Sequence, residues 1–192
     1  MTVMYSGLNI PYMLSKEDKK PKKGPFTVRD IVLVGMMCAL LEGVKFALQS
    51  IPNVELVTFL IIMFSMYLGA KSLIAVWAFV GIECAIWGLG LWSIMYVYIW
   101  PILVMLTIII HKYTEDKWAY VVLSTVFGLL FGALCTIPYF FVGGVNTAIA
   151  WWIAGIPYDI LHGISNGVLM FVLFTPVDKV FRRMYLKEMP EI

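Results

Sequence analysis

Charge is what this sequence has least of. Only 14% of its 192 residues are charged, 61% are hydrophobic and the mean hydropathy is +0.89, whereas soluble domains are about half apolar and a quarter charged. Water is thereby excluded as the main solvent. Cysteine is scarce too. Cys38, Cys84 and Cys135 each sit in an apolar run, with no CxxC pair and no His at metal-ligand spacing, which excludes a disulfide framework or a zinc site and leaves small core residues. The sequence has no Gly-rich phosphate loop ending in Lys and Ser or Thr, and no HExxH, so it is not expected to hydrolyse ATP or act as a zinc peptidase. No cofactor and no nucleic-acid partner are expected.

What is present is a series of apolar runs near 20 residues, longer than buried helices of soluble folds sustain and matched to the hydrocarbon core of a bilayer. The first 26 residues, with Lys16, Lys19, Lys20, Lys22 and Lys23, lack an apolar stretch or small-residue cleavage site, and so are expected to form a cytoplasmic basic tail rather than a signal peptide. Six spans follow, as residues 27–182 of an all-α membrane domain. The first runs from about Thr27 to Ser50, ending at Ile51-Pro52-Asn53, and the second from about Glu55 to Leu68, ending at Gly69-Ala70-Lys71. The third reaches Trp87 before Gly88-Leu89-Gly90, and the fourth covers Trp92 to Ile110. There Pro101 is tolerated because buried neighbours can satisfy the carbonyl it frees. The fifth covers Trp118 to Phe141 and the sixth Ile156 to Val177, with a Gly-rich loop expected over Val142 to Gly155 and a second tail over 183–192.

Lys and Arg gather at cytoplasmic span ends. Placing both termini in the cytoplasm puts Arg29, Lys71, Lys112, Lys117, Lys179, Arg182, Arg183 and Lys187 inside, while the outer connections near Pro52, near Gly90 and over 142–155 contain no Lys or Arg.

Ionisable groups within spans are costly and mark cavities or partners. At 1.5 Å per residue, Glu42 and Lys45 lie roughly 20 and 24 Å from the inner end of the first span, and Glu83 roughly 18 Å up the third. Asp159, His162 and Asn166 share one face of the sixth and begin near its outer side. These groups converge on one level, below Gln49, Asn53, Glu55, Trp87, Trp92, Asn146, Trp151 and Trp152. The pattern describes a polar, aromatic-lined binding site open to the outside. A Glu42–Lys45 ion pair and an interfacial Trp belt are the plainer alternatives. Glu42, Glu55, Glu83 and Asp159 outnumber Lys45, which favours a ligand with cationic or donor groups on a flat ring, such as a pyrimidine or pyridine. Gly35, Ala39, Gly43 and Ala47 recur every fourth residue along the first span, a close-approach stripe that serves either internal packing or a partner. Gly163-Ile164-Ser165-Asn166-Gly167 fits the G-x-S-x-G nucleophile pattern, but inside an apolar span rather than at a strand-to-helix elbow.

In layout the chain resembles the substrate-binding S component of an energy-coupling factor (ECF) type vitamin transporter, over nearly its whole length. The resemblance is carried by the small-residue helix Gly35 to Ala47, the turn Ile51-Pro52-Asn53-Val54-Glu55, the segment Gly132-Ala133-Leu134-Cys135-Thr136-Ile137-Pro138-Tyr139, and above all Gly155-Ile156-Pro157-Tyr158-Asp159-Ile160-Leu161-His162-Gly163-Ile164-Ser165-Asn166-Gly167. It implies a six-helix, multi-pass subunit of a prokaryotic cell membrane that binds a vitamin-like small molecule from outside. It implies as partners a transmembrane coupling protein and two ABC ATPases, with the helix-one stripe at Gly35, Ala39 and Gly43 facing the coupling protein. A solitary small-molecule transporter or channel is the alternative, and an intramembrane hydrolase a further one.

Overall fold

The computed structural model describes residues 28–186; the tail 1–26, Thr27 and residues 187–192 lie outside the described residues. Among these every regular element is helical: α1 Val28–Leu48, α2 Val57–Leu68, α3 Ser72–Trp87, α4 Leu91–His111 and α5 Lys117–Leu186, with a 3-10 turn at Gly69–Lys71. The first four lie within two residues of the expected spans. The punctuation explains why. Pro52 carries no N–H to continue a helix, and Gly69 and Gly88 stop α2 and α3 at positive φ, 56° and 77°, a region costly for residues with a Cβ.

The expected loop over Val142 to Gly155 is not there. The segment is helical throughout, interrupted only at Gly144 (φ 75°, ψ −175°). Its Val, Ala, Ile and Trp residues sustain helix where no proline intervenes, so a single glycine makes the reversal that fourteen residues were expected to make. The arms on either side, 117–143 and 145–186, run antiparallel. Gly132 meets Asp159 through N–H···Oδ1 at 2.9 Å, and a Cβ on Gly128 would lie 2.8 Å from the Gly163 Cα. Nearer the open end of this hairpin Tyr120 stacks on Phe174 with ring centroids 5.4 Å apart. The backbones touch because both helices carry glycine at the crossing. Gly163 and Gly167, the outer residues of the G-x-S-x-G pattern, are contact points of this hairpin, against Leu129 and Thr125.

Side-chain contacts set the direction of the remaining helices. α1 runs parallel to α3, since Asp30 meets Lys71, Cys38 donates to the Ala75 carbonyl and Lys45 meets Glu83. α4 runs antiparallel to the first arm of α5, with Tyr98 against Leu134 and His111 against Tyr120. The chain thus passes to and fro through one bundle, α2 at its centre against α1, α3, α4 and α5. Nine of the twelve residues of α2 are buried. Both described chain ends lie at the same end of the bundle, Asp30 on Lys71 and Phe181 stacked on Tyr67 at 4.9 Å.

The outside of this bundle is apolar. Ile31, Val32, Trp77, Ile94, Val97, Val122, Val168 and Val172 are all exposed, a surface that water penalises and lipid accepts. Among the described residues four helical stretches are long and apolar enough to cross a membrane: Asp30–Leu48, Val57–Trp87, Leu91–His111 and Lys117–Arg183. These features define a helical membrane protein.

Proline in such surroundings frees a carbonyl that water cannot reach. Pro101 frees the carbonyl of Val97, and the Trp77 indole N–H donates to it at 3.4 Å. Pro138 frees that of Leu134, to which the Tyr98 hydroxyl donates at 2.6 Å. Each of these two freed carbonyls therefore also makes a bond between helices. Tyr98→Phe is expected to lower stability by about 1–3 kcal/mol by orphaning the Leu134 carbonyl. In the double variant Tyr98→Phe/Pro138→Ala, the restored N–H of residue 138 should recover most of that loss, as read from unfolding midpoints in detergent.

Candidate functional site

The two ends of the bundle differ in chemistry. At one end Lys71 holds Asp30 at 2.5 Å, and Arg182 bridges Asp178 at 2.8 Å and Glu115 at 3.2 Å. Tyr67 donates to Asp178, the His111 Nδ1 lies 2.8 Å from the Tyr120 hydroxyl, and Lys112, Lys117, Lys179 and Arg183 cluster around the same helix ends. The other end has the α1–α2 connection, the Gly88–Gly90 turn and the reversal at Gly144.

Beneath that second end lies a cavity of about 200 Å³ lined by Lys45, Asn53, Glu55, Val57, Phe79, Tyr96, Trp100, Phe131, Asp159 and His162. Its roof is the α1–α2 connection. Asn53 takes φ +56°, a conformation Asn tolerates better than other side chains with a Cβ, and its carbonyl accepts the Ser165 hydroxyl at 2.8 Å. Two residues on, the Glu55 carboxylate accepts the Thr58 N–H at 2.8 Å, anchoring the first turn of α2, and faces His162 Nε2 at 3.2 Å. The roof is thereby tied to the second arm of α5 at two points.

The walls are aromatic. Tyr96 and Trp100, one turn apart on α4, meet edge to face at 5.4 Å. Trp100 lies 5.6 Å from Phe131, which meets the His162 ring at 5.0 Å. Lys45 reaches across from α1 to pair with Glu83 of α3, its ammonium 5.4 Å from the Tyr96 ring and 5.9 Å from Phe79. Its charge is met by a carboxylate and two ring faces together.

Asp159 lies at the crossing of the two arms. Its Oδ1 accepts the Gly132 N–H, and a Cβ on Gly132 would lie 2.3 Å from Oδ2, so only glycine leaves the carboxylate room. Two buried polar atoms on the cavity residues have no hydrogen-bond partner among the described residues, Asp159 Oδ2 and Trp100 Nε1.

Of the residues expected at the site, Lys45, Asn53, Asp159 and His162 line the cavity and Glu83 stands behind Lys45. Lys45 makes its direct ion pair with Glu83, while Glu42, whose carboxylate oxygens are buried without a hydrogen-bond partner among the described residues, acts on Lys45 only through its charge. Asn166 is buried one turn below His162, its carbonyl accepting from Ser124. Trp92 packs on Tyr96 at 5.5 Å, at the α4 end of the aromatic wall. Trp87 is exposed and tilted against Phe46 at 6.2 Å. Asn146, Trp151 and Trp152 ride on helix rather than loop; Asn146 and Trp152 are exposed, and Trp151 stacks on Tyr139 at 4.1 Å. Helical geometry along 145–155 turns these three away from the cavity. Phe79, Tyr96, Trp100 and Phe131 line it, though they looked like ordinary span residues. Their only sequence signal is the i, i+4 spacing of Tyr96 and Trp100 and of Phe127 and Phe131, which brings aromatics onto one helix face.

Ser165 donates to the carbonyls of Asn53 and His162 at 2.8 and 3.0 Å, while the His162 ring is turned to Glu55. On α1, Gly35, Ala39 and Gly43 are exposed, and nothing lies within 4 Å of a Cβ placed on either glycine. Among the described residues nothing therefore packs closely on the two glycines of the stripe. Among the described residues no group of three His, Cys, Asp or Glu side chains is placed to hold a metal ion.

Comparison with family models, with curated proteins and with solved structures returns no match.

The roof is the most exposed dependency of this site. Glu55→Ala removes the acceptor of the Thr58 N–H and the partner of His162, and should cost about 1–3 kcal/mol. Glu55→Gln, which keeps an oxygen acceptor, should retain most of it. Thermal unfolding of the two variants in the same detergent checks the difference.

Proposed function

We propose that this chain is the substrate-binding S component of an ECF-type importer, capturing a vitamin-like micronutrient from outside for ATP-driven uptake. The observation that carries the proposal is the cavity itself. It is a chamber of buried polar groups and aromatic walls under one end of an apolar-surfaced bundle, opposite the end where the basic residues gather. Convergent polar groups in a mostly aromatic cavity are the ordinary form of a small-molecule site. The basic end faces the cytoplasm by the positive-inside rule. On this reading the six passes of the chain are six membrane spans, both termini are cytoplasmic and the cavity opens outward in a prokaryotic cell membrane.

A capture subunit without an ATP-binding loop needs partners. The exposed stripe at Gly35, Ala39 and Gly43 offers a face where another helix can approach closely, which suits a transmembrane coupling protein that in turn engages two ABC ATPases. The serine-hydrolase reading gains no support, because Ser165 donates to two main-chain carbonyls and no imidazole base faces it. A solitary transporter remains distinguishable by experiment.

The chain co-expressed with a coupling protein and ATPases should copurify as a complex, and liposomes holding that complex should take up substrate only with ATP. Uptake by the chain alone would favour a solitary transporter. Mass spectrometry of copurifying small molecules identifies the cargo. Gly35→Leu or Ala39→Leu should weaken complex assembly on the order of tenfold, the scale of an overpacked contact, and leave ligand binding unchanged; equal loss of both would make the stripe internal packing.

A further inference from the structure

The two arms of α5 leave an open groove between them on the outside of the bundle, which shares no residue with the cavity. Trp118, Val121 and Thr125 form one wall and Ile164, Gly167, Val168 and Phe171 the other, spacings that put each set on one helix face. From Trp118 to Thr125 the groove runs roughly 10 Å along the first arm, at 1.5 Å per residue. The arms close beneath it at Gly167, where a Cβ would lie 2.4 Å from the Thr125 Oγ1. That hydroxyl already donates to the Val121 carbonyl at 2.8 Å. The floor therefore offers an occupant no free donor, and the other lining side chains are apolar.

The rim carries a charge. Lys117, the first residue of α5, places its ammonium 3.9 Å from the Phe171 ring centroid and 5.6 Å from that of Trp118, two rings that meet at 5.4 Å. Among the described residues no carboxylate pairs with this ammonium: Glu115 is held by Arg182, and Asp116 accepts the Trp118 N–H at 3.2 Å. Lys112, Lys179 and Arg183 are exposed on the neighbouring helix ends, so cations outnumber the carboxylates Glu115, Asp116 and Asp178 at this end of the bundle. A basic rim over an apolar slot is complementary to an anionic amphiphile, and basic groups between helices at the membrane face draw anionic headgroups. A partner helix suits the groove less well. Helices associate in lipid through small residues or hydrogen bonds, whereas these walls are bulky. The small-residue stripe lies instead on α1, which packs mainly on α3 and α2, while α5 packs on α4 and α2.

We propose that this groove binds an anionic phospholipid from the leaflet at the basic end, one acyl chain lying between the two walls and the headgroup phosphate on Lys117. The slot holds the chain and Lys117 sets the headgroup preference. A lipid seated there touches both arms of α5 at once. The site needs only a bilayer, and whether the chain couples to ATPases does not enter.

The test is native mass spectrometry of the full chain in detergent, supplied with equal amounts of phosphatidylglycerol and phosphatidylcholine bearing the same palmitoyl and oleoyl chains. The first lipid retained should be phosphatidylglycerol by about fivefold, the scale of one basic residue beside an anionic headgroup. Lys117→Gln should remove that preference and Lys117→Arg should keep it. Lys179→Gln, the same charge change outside the groove lining, should leave it in place. Val168→Trp, which fills the slot from an exposed position, should cut retention of both lipids, whereas Val122→Trp, exposed but outside the lining, should not. If Val168→Trp fails to fold, Ile164→Trp fills the same slot. Soluble glycerol 3-phosphate should not displace the lipid; displacement would mean a bare phosphate site and overturn the role of the groove. A wild type without headgroup preference, or equal loss of preference in Lys117→Gln and Lys179→Gln, overturns the assignment to Lys117. Unchanged lipid retention in Val168→Trp with lost assembly on a coupling protein gives the groove to a partner helix and overturns the proposal.

Discussion

In apolar surroundings a backbone carbonyl without a hydrogen bond has no water to turn to, and much of this architecture follows from how the chain meets that constraint. Helix satisfies most groups internally. At Pro101 and Pro138 the freed carbonyl recruits a side chain from another helix, Trp77 to Val97 and Tyr98 to Leu134. Packing in lipid gains nothing from the hydrophobic effect between helices, so such bonds, together with close backbone contact, hold the bundle in register. The main-chain acceptor at Asn53 is treated in the same way, taking the Ser165 hydroxyl.

Close contact does the rest, and it also builds the site. The glycines at 128 and 163 let the two arms of α5 touch backbone to backbone. One turn further along, the same proximity brings Asp159 onto the Gly132 N–H and holds a carboxylate in the cavity wall. Packing and chemistry therefore share residues, so the segment Gly155 to Gly167 carries both the helix crossing and the polar groups. The sequence pattern that resembled a hydrolase elbow is explained by this crossing.

Charge is segregated along the same axis. Arg182, Asp178, Glu115, Lys71 and Asp30 form partly exposed pairs at one end, where water and headgroups screen them. Lys45–Glu83 and Glu55–His162 lie inward at the other end, where less water competes and each group's partner determines what it can do next.

Some of this was legible in the residues alone. Apolar runs, Pro52, Gly69 and Gly88 mark α1 to α4 to within two residues, because span length and helix termination are local properties. The depth of Lys45 and Glu83 could be counted along each helix, and Lys45, Asn53, Asp159 and His162 do meet at one cavity. The shape of the last third was not legible. A glycine-rich segment reads as a loop, whereas one residue in the left-handed region suffices when helical neighbours continue on both sides. Nor could the sequence say that Phe79, Tyr96, Trp100 and Phe131 are walls while Trp151 and Trp152 are not, because aromatic side chains look alike until helix rotation is set by packing. Nor could it decide whether the Gly35 stripe was used internally. Solvent, helix length and the polarity of the two ends belong to the sequence, through composition and local rules. Which helix face turns inward, which charges are matched and which surface is left free belong to the tertiary structure, since each depends on contacts between residues far apart in the chain.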